Sequence, residues 1–195
     1  MKGRGQVKRV TRETSVEVDF KLEGAGTYRI ETTVPFFDHM LSLFAKHGFF
    51  DLTVQAHGDT EVDFHHLVED VGISMGEALV QALGGKEGIC RFGSATVPMI
   101  DALASVHLDL SRRAHLVFDA VLAKEKVGGF DLELVEEFLR AFSSHGGIDL
   151  HVNLHYGSNS HHAVEAVFKA LARALDSATQ KDRRVKGVLS TKGKL

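Results

Sequence analysis

Apolar residues recur at spacings of three and four along four stretches of the chain, which is the pattern of a helix with one buried face. Phe37, Met40, Leu41 and Phe44 follow this pattern in the first stretch, which ends at Gly48, a residue type favoured at helix C-termini. The other three stretches show the same spacing. We therefore predict helices over residues 37–47, 64–83, 131–145 and 161–178.

Between these helices, apolar and polar residues alternate, which indicates strands with one buried face. Residues 14–22 and 27–32 flank the segment EGAG, and we predict that they pair as a hairpin. Further strands are predicted over residues 50–56, 104–110, 114–123 and 148–155. This arrangement indicates an α+β fold in layers, with an antiparallel sheet and two helices in each half of the chain.

The second half of the chain repeats the first. With an offset of 98 residues, FFDHMLSLFAKHGFFDLTV (36–54) aligns with LVEEFLRAFSSHGGIDLHV (134–152). Two HH pairs follow at an offset of 96 residues, which requires only a two-residue deletion between the aligned segments. We interpret the chain as a tandem duplication, with a first half over 1–88, a second half over 89–180 and a basic tail over 181–195 that contributes to the site.

Composition and charge exclude several classes of function. The 195 residues carry a formal net charge of −3, so neither nucleic acid nor an anionic membrane is an expected partner. No apolar segment follows the N-terminal charges and no window reaches the roughly 18 apolar residues of a membrane span, so we expect a cytoplasmic protein. Because Cys90 is the only cysteine, a bound metal must be held by His, Asp or Glu. The 12 histidines are clustered, which favours such a site.

Two turns of the form HHxxE, one in each half, suggest two metal centres. Adjacent residues on a helix point about 100° apart, so His65 and His66 face different directions, whereas Glu69 lies within reach of both. One such turn is most often a cap or a surface feature, but two in register favour ligands. His39 aligns with Glu137 across the repeat, and both are good ligands for a divalent ion. The candidate ligands are His39, His65, His66, Glu69, Glu137, His161, His162 and Glu165.

Basic residues in small or apolar surroundings suggest that the ligand carries phosphate. Lys169 lies one turn after Glu165, and the matching position of the first half is Ile73, so this cation serves an asymmetric ligand rather than the fold. Hydroxyl groups, backbone amides and cations are the groups that bind phosphate. Each candidate alone is also typical of a solvated surface. The other candidates are Arg91, Arg113 and the segment STKG at 190–193.

Some of these features have a second interpretation. His47 and His145 precede glycines at helix ends, where an imidazole can bind the terminal carbonyl groups. We favour this role for His145 and leave His47 open between it and substrate binding. From the residues alone, the chain could also be a dinuclear metallohydrolase of a small phosphorylated or amide substrate, or a metal-storage protein. Lys169 and STKG argue against storage, because a metal store has no use for an anion pocket.

The motifs FFDHML, HHxxED, DLSRR, GSNSHHAVEAVFKA and STKG, in this order, resemble the imidazoleglycerol-phosphate dehydratase family over nearly the whole chain. The resemblance implies a duplicated α+β fold whose halves are like the second domain of ribosomal protein S5. It implies the removal of water from D-erythro-imidazole-glycerol phosphate to give imidazole-acetol phosphate in histidine biosynthesis. It also implies two Mn²⁺ ions per active site, and a homo-oligomer of twenty-four subunits built from trimers with active sites between subunits.

The resemblance also assigns roles to residues. It makes all eight candidate ligands manganese ligands, although many family members have histidine where this chain has Glu137. Glu13, in VTRETSVEV, matches a glutamate that reaches the substrate, and either Glu13 or Glu165 would move the proton. The chain departs from the common pattern at Ile100 and Leu189, and neither is a proposed ligand. The residues that would hold the phosphate are Arg91, Arg113, Lys169, Ser190, Thr191 and Lys192.

Overall fold

Each half of the chain forms a four-stranded sheet and two helices, and the second half adds a short two-stranded ribbon. The computed structural model describes residues 3–193. The four predicted helices are confirmed, and their ends agree with the prediction to within two residues. The elements of the first half are β1 (Arg4–Val10), β2 (Thr14–Lys21), β3 (Tyr28–Glu31), α1 (Pro35–His47), β4 (Asp51–Gly58) and α2 (His65–Leu83). Those of the second half are β5 (Phe92–Met99), β6 (Ala102–Asp109), β7 (His115–Asp119), β8 (Lys126–Val127), β9 (Phe130–Asp131), α3 (Glu133–Gly146), β10 (Asp149–Gly157) and α4 (Ser160–Thr179).

The two sheets share one topology, which confirms the α+β class and the duplication. Their strand orders are β1-β2-β4-β3 and β5-β6-β10-β7. One detail differs from the prediction, because the edge strands β3 and β7 run parallel to β4 and β10. Each sheet is therefore mixed rather than purely antiparallel.

The predicted hairpin between residues 14–22 and 27–32 is wrong. The strands β2 and β3 lie on opposite sides of β4 instead of pairing with each other. The intervening segment crosses the end of β4, where the Asp51 carboxylate accepts hydrogen bonds from the backbone N–H groups of Ala25 at 2.9 Å and Thr27 at 3.2 Å. These bonds hold the segment open as a crossover, so it cannot close as a tight turn.

Four strands were not predicted: the short β8 and β9, and the sheet strands β1 and β5, which both approach a helix through glycine. A Cβ atom on Gly5 would lie 1.9 Å from the carbonyl oxygen of Ala78 in α2. A Cβ atom on Gly93 would lie 1.9 Å from the carbonyl oxygen of Ala174 in α4. Strand and helix backbones therefore touch with no side chain between them. Since glycine stands where a large apolar residue would have marked the buried face, the alternation is too weak to predict either strand.

We expect Gly93→Ala to destabilise the fold, because the added methyl group would overlap the Ala174 carbonyl and force strand and helix apart. The free energy of unfolding should fall by about 1–3 kcal/mol or more, as measured by urea denaturation. Gly129→Ala is the matched control, since nothing lies within 4 Å of a Cβ atom at that glycine. Equal stability of the two variants would contradict the close packing of β5 on α4.

The helices of one half pack against those of the other, so both halves share one hydrophobic core. α2 contacts α3, and α1 contacts α4. Phe44 and Phe142, which are equivalent in the repeat, meet with ring centroids 6.1 Å apart. Buried residues from both halves form a single cluster. Within the described residues, no helix is long and apolar enough to cross a membrane. The pairing of α1 with α4 and of α2 with α3 sets the geometry of the site.

Candidate active site

His39, His161 and Glu165 form a compact group, here called the first cluster. His39 lies on α1 and the other two on the first turns of α4, and they meet because these helices pack together. The Nε2 atoms of His39 and His161 lie 2.8 Å and 3.2 Å from Oε1 of Glu165. One ligand atom from each residue lies within 4.8 Å of the others. Two imidazole nitrogens and a carboxylate oxygen are a suitable donor set for a divalent transition metal.

Glu165 is ionised although it is only 7% exposed. Burial raises the pKa of its carboxyl group, but hydrogen bonds from Lys169 and His39 outweigh that effect and lower the pKa to about 2. The Nζ atom of Lys169 donates to Oε2 at 2.7 Å. One carboxylate oxygen therefore faces the two histidines and the other faces the lysine. Such a group binds cations readily and is a poor proton acceptor at neutral pH.

The repeat provides a counterpart, here called the second cluster, whose members are His65 and Glu69 on α2 and Glu137 on α3. The Nε2 atom of His65 lies 4.0 Å from Oε2 of Glu69, one turn further along α2. Glu137 lies on α3, which packs against α2 as α1 packs against α4. Among residues 3–193, three ligand atoms within 4.8 Å of one another occur in the first cluster alone. The residues of the second cluster therefore lie on the equivalent helices, but their ligand atoms are not as close together as those of the first cluster.

At the start of each histidine helix, a side-chain oxygen accepts a hydrogen bond from the backbone of the first histidine. The backbone N–H of His65 donates to Oδ1 of Asp63 at 2.7 Å. The backbone N–H of His161 donates to Oδ1 of Asn159 at 2.9 Å. An oxygen two residues before each HH pair thus satisfies an N–H group that the first turn of a helix leaves without a partner. The two histidine turns thus begin alike, although Asn159 also accepts a hydrogen bond from the N–H of His162.

The second histidine of each pair turns away from the first and binds a carboxylate. The two rings lie at 89° to each other in the first pair and at 79° in the second. Nδ1 of His66 lies 2.9 Å from Oδ2 of Asp59, and Nδ1 of His162 lies 2.6 Å from Oδ1 of Asp101. The hydrogen bond to Asp59 raises the pKa of His66. A carboxylate on Nδ1 fixes the ring and leaves Nε2 as the metal-binding atom. Neither aspartate was predicted from the sequence.

Glu13 and Asp101 occupy equivalent positions, immediately before β2 and β6. Asp101 binds His162, but the nearest Glu13 oxygen is 3.9 Å from Nδ1 of His66, and the Glu13 side chain is 56% exposed. The difference arises from Asp59, which lies in a connection between β4 and α2 that is longer than the one between β10 and α4. Because Asp59 binds His66, Glu13 is left outside hydrogen-bonding distance of that ring.

Five of the predicted phosphate-binding residues line one open cavity of about 1420 Å³, here called the anion pocket. The C-terminal tail reaches this pocket by pairing Val188 with Glu87 and Lys181 with Ile89. Predicted residues in the lining are Arg91, Arg113, Ser190, Thr191 and Lys192. Cations that line it but were not predicted are Arg112, Arg184 and Lys186. The last three looked like ordinary surface charges in the sequence, and only the path of the tail brings them together.

Arg91 is held in place from two sides. Its guanidinium donates to both carboxylate oxygens of Asp109, at 2.7 Å and 2.8 Å, and to the carbonyl oxygen of Leu189 at 2.6 Å. Lys169 and His47 lie instead beside the first cluster. Burial, followed by the charges of Lys169 and Arg173, lowers the pKa of His47, which favours the neutral ring.

A comparison with protein families decides the identity of this site. Residues 32–175 match the model of the family described as imidazoleglycerol-phosphate dehydratase. The chain belongs to this family. Relatives of that name include those of Citrifermentans bemidjiense, 57% identical over 189 residues, and Acetivibrio thermocellus, 58% identical over 190 residues. In both cases the alignment covers 97% of this chain and 97% of the relative.

Solved structures agree with this assignment. The crystal structure of imidazoleglycerol-phosphate dehydratase from Staphylococcus aureus is 38% identical, with a TM-score of 0.83, over 92% of this chain and 99% of that one. The enzyme from Pyrococcus furiosus, in complex with (S)-C348, is 37% identical, with a TM-score of 0.84, over 97% of this chain and 100% of that one. These neighbours confirm the predicted fold.

Membership of the dehydratase family confirms the predicted activity. The chain is a hydro-lyase that dehydrates imidazoleglycerol phosphate in histidine biosynthesis. The two alternatives that the residues left open, a dinuclear metallohydrolase and a metal-storage protein, are therefore set aside. What each cluster and the anion pocket contribute to this reaction is a separate question of chemistry.

Proposed function

We propose that this dehydratase uses two Mn²⁺ ions in each active site. The observation that carries the proposal is the first cluster, in which His39, His161 and Glu165 direct two imidazole nitrogens and one ionised carboxylate oxygen at one point. Its duplicate, the second cluster, would hold the other ion. When bound, the ions would supply Lewis acidity to the imidazole ring and hydroxyl groups of the substrate.

The arrangement of His66 and His162 supports an active site shared between subunits. Their Nδ1 atoms are bound to Asp59 and Asp101, and neither ring belongs to the compact donor group of this chain. We therefore infer that each ion receives its remaining histidine from another copy. The assembly proposed is a homo-oligomer of twenty-four subunits built from trimers, in the cytoplasm, with neither nucleic acid nor membrane as a partner.

The anion pocket is the proposed site for the phosphate of the substrate. A phosphate dianion requires cations and hydrogen-bond donors, and Arg91, Arg113 and the segment Ser190–Lys192 provide both. Lys169 would approach the substrate from the side of the first cluster, where its Nζ atom lies. His47, whose pKa is lowered in part by the charge of Lys169, would bind a substrate hydroxyl group. Because the anion pocket lies at the Phe92 end of β5 and Lys169 lies at the Met99 end, the two would be contributed to one substrate by different subunits.

Glu13 is the proposed general base. Its carboxylate would take the proton from the middle carbon of the glycerol chain. The hydroxyl group on the carbon attached to the ring would leave as water, and the resulting enol would become the ketone at the middle carbon. Glu165 is less suited to this role, because its pKa is lowered to about 2 and its oxygens are bound to His39 and Lys169. The exposed carboxylate of Glu13 is better placed to exchange protons.

The proposal is tested by removing metal and adding it back. Chelated protein should not convert imidazoleglycerol phosphate to the ketone, and Mn²⁺ should restore turnover together with a large particle, measured by light scattering. The same titration with Mg²⁺ is the control, because a histidine-rich donor set favours Mn²⁺ over Mg²⁺. Full turnover by demonstrably metal-free protein would overturn the proposed metal requirement. Turnover restored without a change in particle size would overturn the shared site.

A further inference from the structure

Lys86 is a buried lysine that the proposed chemistry does not use. It is 1% exposed, and its Nζ atom donates to the carbonyl oxygen of Leu110 at 2.9 Å. Lysine is almost never buried unless a partner offsets the loss of hydration. A single backbone carbonyl is a weak partner for an ammonium group with three N–H donors. The position therefore calls for a reason other than stability.

The charges that face Lys86 add to this imbalance. They are Arg91, just before β5, Asp109, at the end of β6, and Arg112, in the loop that follows β6. Asp109 is already bound through both carboxylate oxygens to Arg91. Three cations thus share one carboxylate, and two of them, Arg91 and Arg112, line the anion pocket. An environment with such an excess of positive charge favours a bound anion.

The backbone at this place is also strained. Lys86, Arg91 and Arg112 have φ angles of 57°, 70° and 63°, in the left-handed region that is disfavoured for residues with a side chain. Strained backbone of this kind is concentrated at binding and catalytic sites. Leu110, which accepts the hydrogen bond of Lys86, also donates its N–H to the Arg91 carbonyl at 3.1 Å. It immediately precedes the pocket-lining residues 111–113.

We propose that Lys86 is a positioning residue for substrate phosphate: it fixes the loop of residues 110–113 from behind the anion pocket and adds a buried positive charge beneath it. This inference rests on the proposed role of the anion pocket as the phosphate site. Lys86 itself does not line the pocket, so it acts through the loop and through its field rather than by contact with the ligand.

The protonation of Lys86 links phosphate binding to pH. Burial, with the charge of Arg112 adding to it and that of Asp109 opposing it, lowers the pKa of Lys86 to about 8. The ammonium group is therefore present below that pH and is lost as the pH rises through it. A bound phosphate dianion favours the charged form, so it raises this pKa. Binding near pH 8 should take up protons, and affinity should fall as the pH increases further.

The experiment compares Lys86→Met with Lys86→Arg and with Lys8→Met, a control at a lysine whose side chain is 67% exposed. Each manganese-loaded protein is titrated calorimetrically with inorganic phosphate from about pH 7.5 to 9.5, in buffers of different ionisation enthalpy. The wild type and Lys8→Met should bind with proton uptake and lose affinity with rising pH. Lys86→Met should bind roughly tenfold more weakly at the lower pH, without proton uptake, and Lys86→Arg should retain affinity but not the pH dependence.

Kinetics and stability separate positioning from structure. Lys86→Met should raise KM with kcat nearly unchanged, and its urea midpoint should equal or exceed that of the wild type, because a buried charge is removed. If Lys86→Met bound phosphate as tightly as the wild type while Arg113→Gln did not bind it, the proposed role of Lys86 would be wrong. The anion pocket would then remain the phosphate site. Phosphate binding that Arg113→Gln leaves intact would overturn the assignment of the anion pocket. A much lower urea midpoint with normal KM would make Lys86 structural.

Discussion

Glu13→Gln should lower kcat about 10²- to 10⁴-fold while metal content and particle size stay as in the wild type. The amide has the shape of the carboxylate but cannot take a proton, so only the proposed proton transfer is lost. The Glu13 side chain is 56% exposed, so its replacement should leave the fold intact. Turnover of imidazoleglycerol phosphate by manganese-loaded protein is the measurement, with bound metal determined by elemental analysis.

Two other acidic residues serve as comparisons for this result. Glu17→Gln removes a carboxylate from the same strand region, where it pairs with Lys8 on the exposed surface, and should have no effect on kcat. Asp101→Asn changes the residue equivalent to Glu13 in the repeat, but it should weaken metal retention, because Asp101 holds His162. If Glu13→Gln retained full turnover with manganese bound, Glu13 would not be the general base.

The contrast between Glu13 and Asp101 shows how a duplicated fold can acquire one base. In the second half, the carboxylate before the strand binds the histidine of the helix, and hydrogen bonds from Ser158 and His162 hold the pKa of Asp101 well below its usual range. In the first half, Asp59 binds the histidine instead. The longer connection that supplies Asp59 therefore leaves the equivalent carboxylate of Glu13 available for a different task. Asp59 is thus one residue that makes the two halves chemically unequal, together with Lys169 and the pair His39 and Glu137.

Much of the fold could be predicted from the sequence, because the helices have strong apolar stripes and the repeat supports each assignment twice. The exceptions have specific causes. β1 and β5 contact helix backbones through Gly5 and Gly93, which leave no apolar side chain to detect. The predicted hairpin before α1 is wrong because hydrogen bonds to Asp51 set the path of the chain there. Asp51 is 24 residues from Thr27 in sequence, so no local pattern indicates these bonds.

The candidate site was predictable to a different extent at each of its parts. The HHxxE turns and the match of His39 to Glu137 depend on spacing and alignment, both of which are visible in one sequence. Asp59 was not predicted, because carboxylates before a helix are common and only the structure shows which of them binds a histidine. An alignment of Glu13 with Asp101 across the repeat would have indicated that Asp101 belongs to the site. No sequence pattern shows that the tail folds over Arg91.

Glu165→Gln should remove one of the two proposed ions and lower kcat by about 10³-fold or more. The glutamine oxygen carries no charge, so an ion between His39 and His161 would lose the carboxylate that balances it. Metal-free protein should also lose about 1–3 kcal/mol of stability, because Lys169, whose side chain is 14% exposed, would have no charged partner. Metal per chain and urea denaturation of the metal-free protein are the two measurements.

Glu69→Gln, the equivalent change in the second cluster, separates the two effects. The Glu69 side chain is 46% exposed and lies 4.0 Å from His65, so its loss should leave the metal-free protein as stable as the wild type. It should still remove one ion, because the second cluster would lose its carboxylate. Both variants should therefore bind half the metal of the wild type, and only Glu165→Gln should unfold more easily without it. Full metal content in Glu165→Gln would show that the buried carboxylate serves Lys169 and the fold, and that the first cluster is not a metal site.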